Sequence, residues 1–125
     1  MEIKWFSKSM QKLATIYETN ITLNTVASSY FKDAFTTMIG YEKATNSIIV
    51  KPVSKDELNM GLYKQTETHK ISIKPSYGRI NGKKIIQNIQ VFHPLDFSNN
   101  NYYKYECEWD KSKNLLKIHL DREAS

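Results

Sequence analysis

Three histidines (His69, His93 and His119), one cysteine (Cys107) and two carboxylate runs (Asp56-Glu57 and Glu106/Glu108/Asp110) are the side chains of this sequence that could do metal, nucleophilic or acid–base chemistry. No two histidines have the one-turn helical spacing that brings a pair of imidazoles to one metal ion. His119 falls in a strand pattern, facing out beside Lys117. Cys107 alternates with Tyr103 and Tyr105 and has no nearby histidine to take its proton, so it reads as a small buried hydrophobe. The carboxylates from Glu106 to Asp110 alternate with aromatic residues on an apparent strand edge, where charge discourages edge pairing. The sequence holds no phosphate-binding loop, no dinucleotide fingerprint and no nucleophile elbow. These residues predict no enzyme, no cofactor and no metal.

Binding chemistry has more to work with. The 125 residues include 18 Lys and Arg against 13 Asp and Glu, a formal net charge of +5 that suits an anionic partner. Arg79 stands close in sequence to Lys74, Lys83 and Lys84, and these four are the candidate nucleic-acid contacts. A guanidinium meets phosphate as a bidentate fork, and lysines add mobile point charges. Gly78 and Gly82 would let backbone come near a ligand. Tyr102, Tyr103, Tyr105 and Trp109 could stack on the bases of a single strand, but strand aromatics more often pack across a sheet. Trp5 and Phe6 are placed to anchor an opening segment against the rest of the chain or a partner.

The composition bounds what must hold these groups in place. Hydrophobic residues at 40% and charged residues at 25% are ordinary for a globular chain, and residues 1–125 fit one compact unit. No window is apolar for long enough to cross a membrane. Residues 1–10 lack the apolar core and small-residue cleavage site of a signal peptide. One cysteine allows no internal disulfide, so the expected location is cytoplasmic.

Strand signals dominate. Lys12 to Tyr17 alternates, with Ala14 and Ile16 on one face; Glu18-Thr19-Asn20 reads as a turn and Ile21-Thr22-Leu23 as a short strand. Asn24 is a good N-cap for a short helix with Val26, Ala27, Tyr30 and Phe31 at helical spacing. Ala34 to Ile39 is strand-like, Gly40 to Asn46 contains a turn, and Ser47 to Lys51 is a strand that Pro52 closes. Ser54-Lys55-Asp56-Glu57 has the form of a capping box, followed by a brief helix broken at Gly61. Ile71 to Lys74 is again a strand, and Pro75 to Gly78 a turn.

The second half then replays the first. Arg79-Ile80-Asn81 matches Asn20-Ile21-Thr22, and Ile85, Ile86, Ile89 and Gln90 match Val26, Ala27, Tyr30 and Phe31. Tyr102 to Cys107 matches Ala34 to Ile39, Asn114 matches Asn46, and Leu115 to Leu120 matches Ser47 to Pro52. The expected organisation is a repeat over about 12–52, a connector over 53–69 and a second repeat over about 70–120, with an insertion around Val91 to Asn99 in the second copy.

Strand, tight turn, short strand, short helix and hairpin is the order of a swapped-hairpin β-barrel half. Tyr77-Gly78-Arg79-Ile80 resembles the turn that precedes the helix in the SpoVT/AbrB family, and Leu95-Asp96-Phe97 sits where that family leaves its helix. Two copies in one chain resemble the tandem arrangement of MraZ-type proteins. The resemblance implies an α+β, mainly β fold, an AbrB-like swapped-hairpin barrel closed as an intrachain pseudo-dimer. It also implies double-stranded DNA as partner, met by the turn–helix segments around Asn20 and Arg79. The family's basic residues before the helix are replaced in the first copy by Glu18-Thr19-Asn20, and the D-x-x-x-R signature of MraZ is absent. The expected function is a DNA-binding transcriptional regulator. The alternative is an interaction or oligomerisation module of the same fold, bound to another protein or to itself.

Overall fold

The computed structural model of the protein describes residues 2, 3, 5 and 11–124. Period-two alternation makes the first hairpin. β1 (Leu13–Tyr17) and β2 (Asn20–Asn24) turn Ala14, Ile16, Ile21 and Leu23 inward, all fully buried, and leave Thr15, Thr22 and Tyr17 on the other face. Asn24 caps the next helix, its side chain accepting from the Ala27 amide at 3.0 Å. That helix, α1 (Thr25–Ser28), runs into a 3₁₀ turn over Ser29–Phe31. β3 (Thr36–Glu42) and β4 (Ser47–Val53) form the second hairpin, and α2 (Lys55–Asn59) follows with its full Ser54–Glu57 capping box. β5 (Ser72–Lys74), β6 (Tyr77–Asn81), α3 (Lys83–Phe92), β7 (Tyr102–Asp110) and β8 (Leu115–Glu123) complete the chain.

All eight strands join one antiparallel sheet in the order β3-β4-β8-β7-β1-β2-β6-β5. The sheet is curled. Its two end regions meet at one point, where the Thr37 amide donates to the His69 carbonyl at 2.9 Å and the His69 amide donates back at 2.8 Å. Residues from both halves of the chain share the core. Ala27 and Phe31 from the first helical segment and Ile85, Ile86 and Ile89 from α3 pack with strand residues such as Ile80, Ile118 and Leu116. No helix is long and apolar enough to cross a membrane among the described residues.

Several expectations are corrected. The strand closed at Pro52 continues to Val53, with Pro52 opposite Thr37. Thr37 turns its own N–H and C=O to His69, so this is a non-hydrogen-bonded pair, and the missing proline N–H leaves no gap between β3 and β4. Gly40 to Glu42 stay in β3, and the turn is confined to residues 43–46, ended by Asn46 in the left-handed region at φ 47°. The turn over Pro75–Gly78 shrinks to Pro75-Ser76, because Tyr77 and Gly78 pair with Lys74 and Ile73. Gly78 is needed for space: a Cβ there would lie 3.0 Å from Ser28 Cβ and 3.1 Å from Ile73 Cδ1. β7 is not an edge up to Glu106, since β1 covers that side. Trp5 is 81% exposed and anchors nothing among the described residues; Phe6 lies outside them.

Candidate nucleic-acid interface

Arg79 lies on β6 between Gly78 and Ile80, both of which turn inward, so its guanidinium emerges on the outer face of the sheet. It sits 5.0 Å above the centre of the Tyr77 ring, and its Nε donates to Thr22 Oγ1 at 3.5 Å. The pairing places it in one row across five strands: Lys104 opposite Thr15, Thr15 opposite Thr22, Thr22 opposite Arg79, and Arg79 opposite Ser72. A row of three hydroxyls with a guanidinium between the second and third and an ammonium at the far end offers donors to an anionic backbone.

The other three candidates lie beyond the two ends of β6, on β5 and α3, and form no tight cluster. Lys74 pairs with Tyr77 at the start of β6, beside the Pro75-Ser76 turn. Lys83 and Lys84 follow its far end as the first two residues of α3, where the Gly82 amide donates to the Thr19 carbonyl at 2.9 Å. All three lysines are exposed, and among the described residues neither they nor Arg79 nor Lys104 forms an ion pair. Glu18 stays exposed on the turn nearest Lys83.

Two lysines in the first turn of a helix with no acidic residue there and no side-chain cap are badly placed for that helix, whose N-terminal end already carries partial positive charge. Lys83→Glu/Lys84→Glu is therefore expected to raise the melting temperature by a few degrees, from about 1 kcal/mol of dipole and capping gain. Differential scanning calorimetry checks this, and an unchanged or lowered midpoint counts against it.

The aromatic residues are occupied. Tyr105 is 2% exposed with its hydroxyl 3.3 Å from His93 Nε2, and burial pushes that phenol up to about 12. The Tyr103 hydroxyl accepts from the Asp96 amide at 2.8 Å beneath the 95–100 loop, and Phe97 meets the ring edge-on. Trp109 stacks on Tyr30 at 4.3 Å. A single-strand stacking platform built on Tyr103, Tyr105 and Trp109 is therefore overturned by their packing. Of the four candidate aromatics, only Tyr102, 50% exposed beside Tyr17 and with Lys104 Nζ 5.9 Å from its ring centre, stays on the outer face.

Asp110, His119 and Cys107 are tied into the local structure. Asp110 accepts from the Ser112 hydroxyl at 2.8 Å and the Lys113 amide at 3.1 Å, bonds that hold its carboxyl below the usual range and fix the β7–β8 turn. His119 shares the face of Lys117 but is covered, its side chain 12% exposed and Nδ1 3.2 Å from Ser47 Oγ. Burial pushes the Cys107 thiol up to about 12. Cys107 is accordingly expected to react with iodoacetamide at pH 8 roughly a thousandfold more slowly in the native chain than in urea; comparable rates in the two states would contradict its burial.

Sequence reasoning missed Lys104, Thr15, Thr22 and Ser72. The signal was present in the alternation of Tyr102/Lys104/Glu106 against Tyr103/Tyr105, but it does not say that β7 lies beside β1. No protein-family model matches the chain, and neither a curated protein nor a solved structure does.

Proposed function

We propose that the chain is a double-stranded DNA-binding protein of transcription-regulator type, contacting the duplex with the outer face of β7-β1-β2-β6-β5. The observation that carries this reading is Arg79, unpaired with any carboxylate among the described residues and flanked by Thr22 and Ser72 in the Lys104–Thr15–Thr22–Arg79–Ser72 row. β6 has five residues, about 13 Å from first Cα to last at the usual rise. That is close to the width of the major groove, about 12 Å. Lys74 at one end and Lys83 and Lys84 at the other would then neutralise phosphates on the two flanking backbones, with Arg79 over the groove between them.

The proposal extends to the fold: β1–β4 and β5–β8 are tandem copies of a swapped-hairpin half, closed as an intrachain pseudo-dimer. In support, the strand order, taken as a ring through the Thr37–His69 bridge, reads the same when the two sets of four strands are exchanged. Asn46 and Asn114 both take the left-handed conformation at the matching hairpin turns, φ 47° and 55°. The hairpin registers match at the expected spacing, while the β1–β2 and β5–β6 hairpins align Arg79 with Thr22, two residues away from the Asn20 of the sequence alignment. A cytoplasmic location belongs to this reading.

The alternative, an interaction module without DNA contacts, draws on Val91 and Phe92, which expose 76% and 57% of their surface. Fluorescence anisotropy of labelled random duplex DNA, with Arg79→Ala alongside, separates the two. Salt-sensitive binding that the substitution weakens supports the regulator, and no binding at low salt leaves the module.

A further inference from the structure

The hairpins β3–β4 and β7–β8 have their outer flanks covered differently. On β7, β1 pairs with Tyr102 to Glu106, and the Cys107 amide goes on to donate to the Lys12 carbonyl at 2.8 Å. Lys12 Nζ lies 5.9 Å from the centre of the Tyr30 ring, itself stacked on Trp109. The matching flank of β3 is covered only at Thr37, because the chain before His69 turns away into a 3₁₀ turn at Gln65–Glu67. Ladder alternation makes Ile39 and Tyr41 turn their N–H and C=O the same way as Thr37, away from β4. Among the described residues, those four backbone groups meet no partner.

They open on a groove of about 420 Å³ between β3 and α3, lined by Ile39, Tyr41, His69, Ile85, Ile89 and Phe92. Phe92 stacks on Tyr41 at 4.5 Å, as Tyr30 stacks on Trp109 at the matching place.

We propose that this groove binds an extended segment of a partner protein, added antiparallel to β3, with a basic side chain laid over the Phe92 ring. An open strand edge with alternating donors and acceptors is satisfied along its length by another extended backbone. The chain itself supplies such an occupant on the matching edge, where Lys12 is the residue that reaches the aromatic stack. A second copy is a poorer fit, because the long edge it brings, Thr36 to Glu42, carries no basic side chain. The proposal stands whether or not the outer face meets DNA.

The test uses the full chain and a capped synthetic peptide of its own residues 11–17, the stretch that fits the matching edge, with amide hydrogen exchange read by NMR. In the free chain Ile39 and Tyr41 are expected to exchange at least about tenfold faster than Met38 and Gly40, whose amides pair with β4. Millimolar peptide is expected to slow Ile39 and Tyr41 at least about threefold, while a scrambled peptide does nothing. Asn88→Trp, which fills the groove from an exposed position on α3, and separately Phe92→Ala should each remove most of that slowing. Ile39 and Tyr41 exchanging as slowly as their neighbours in the free chain would overturn the proposal. So would the absence of slowing with peptide, or slowing confined to β7. Protection of Ile39 and Tyr41 that grows with the concentration of the chain alone would make the occupant a second copy and overturn it too.

Discussion

Phe31→Ala is expected to remove roughly 3–5 kcal/mol of folding stability, the usual cost of emptying a buried phenylalanine site. Phe31 is fully buried, ends the 3₁₀ turn after α1, and packs T-shaped against Trp109 at 6.2 Å between ring centres. It belongs to the one cluster that holds Ile118 and Leu116 of the last hairpin together with Ile21 and Leu23 of the first. The cavity would therefore open between elements far apart in sequence, and the rigid strands around it cannot collapse to fill it. Since a domain of this kind has about 5–15 kcal/mol in total, the variant should sit close to the edge of folding. Urea titration followed by tryptophan fluorescence measures the loss. A change below about 1 kcal/mol would mean that Phe31 is not the central packing residue its burial indicates.

The largest functional effect is expected from removing the cations along β6 together. Lys74→Glu/Arg79→Ala/Lys83→Glu/Lys84→Glu turns the formal net charge of +5 negative while changing residues that are exposed or half-exposed. Affinity for random duplex DNA at low salt is expected to fall at least about a hundredfold, and the slope of log affinity against log salt to become shallower by about 3 to 4, near one unit per lost phosphate contact. Circular dichroism should stay close to that of the parent chain, and the melting temperature should not fall, since the two α3 substitutions are themselves expected to raise it. Binding within about threefold of the parent would move the interface elsewhere on the molecule.

Much of the local structure was legible. Asn24 and Ser54 announce their helices because an oxygen placed just before an apolar period satisfies amide donors that the helix leaves free. The inward set Ala14, Ile16, Ile21 and Leu23 follows from alternation alone. Less legible was whatever depends on a distant partner. Pro52 looks like a stop until Thr37 is seen to turn its polar groups to His69, seventeen residues beyond Pro52. Gly78 looks like a turn glycine until Ser28 is seen packed on it. Glu106 looks like an edge residue because its neighbour β1 lies about ninety residues earlier in the chain. The candidate site divides the same way: Arg79 stood out as one of two arginines, while its row with Thr22, Thr15 and Lys104 exists only once four strands are side by side.

The most direct measurement is an amide-shift map of the isotopically labelled chain titrated with random duplex DNA at low salt. The predicted result is shifts concentrated at Thr15, Thr22, Ser72, Lys74, Arg79, Lys83, Lys84 and Lys104, reversing as salt is raised, with the β3–β4 hairpin unmoved. An unchanged spectrum, or shifts confined to the β3–α3 groove, would contradict the assignment of the outer face to DNA.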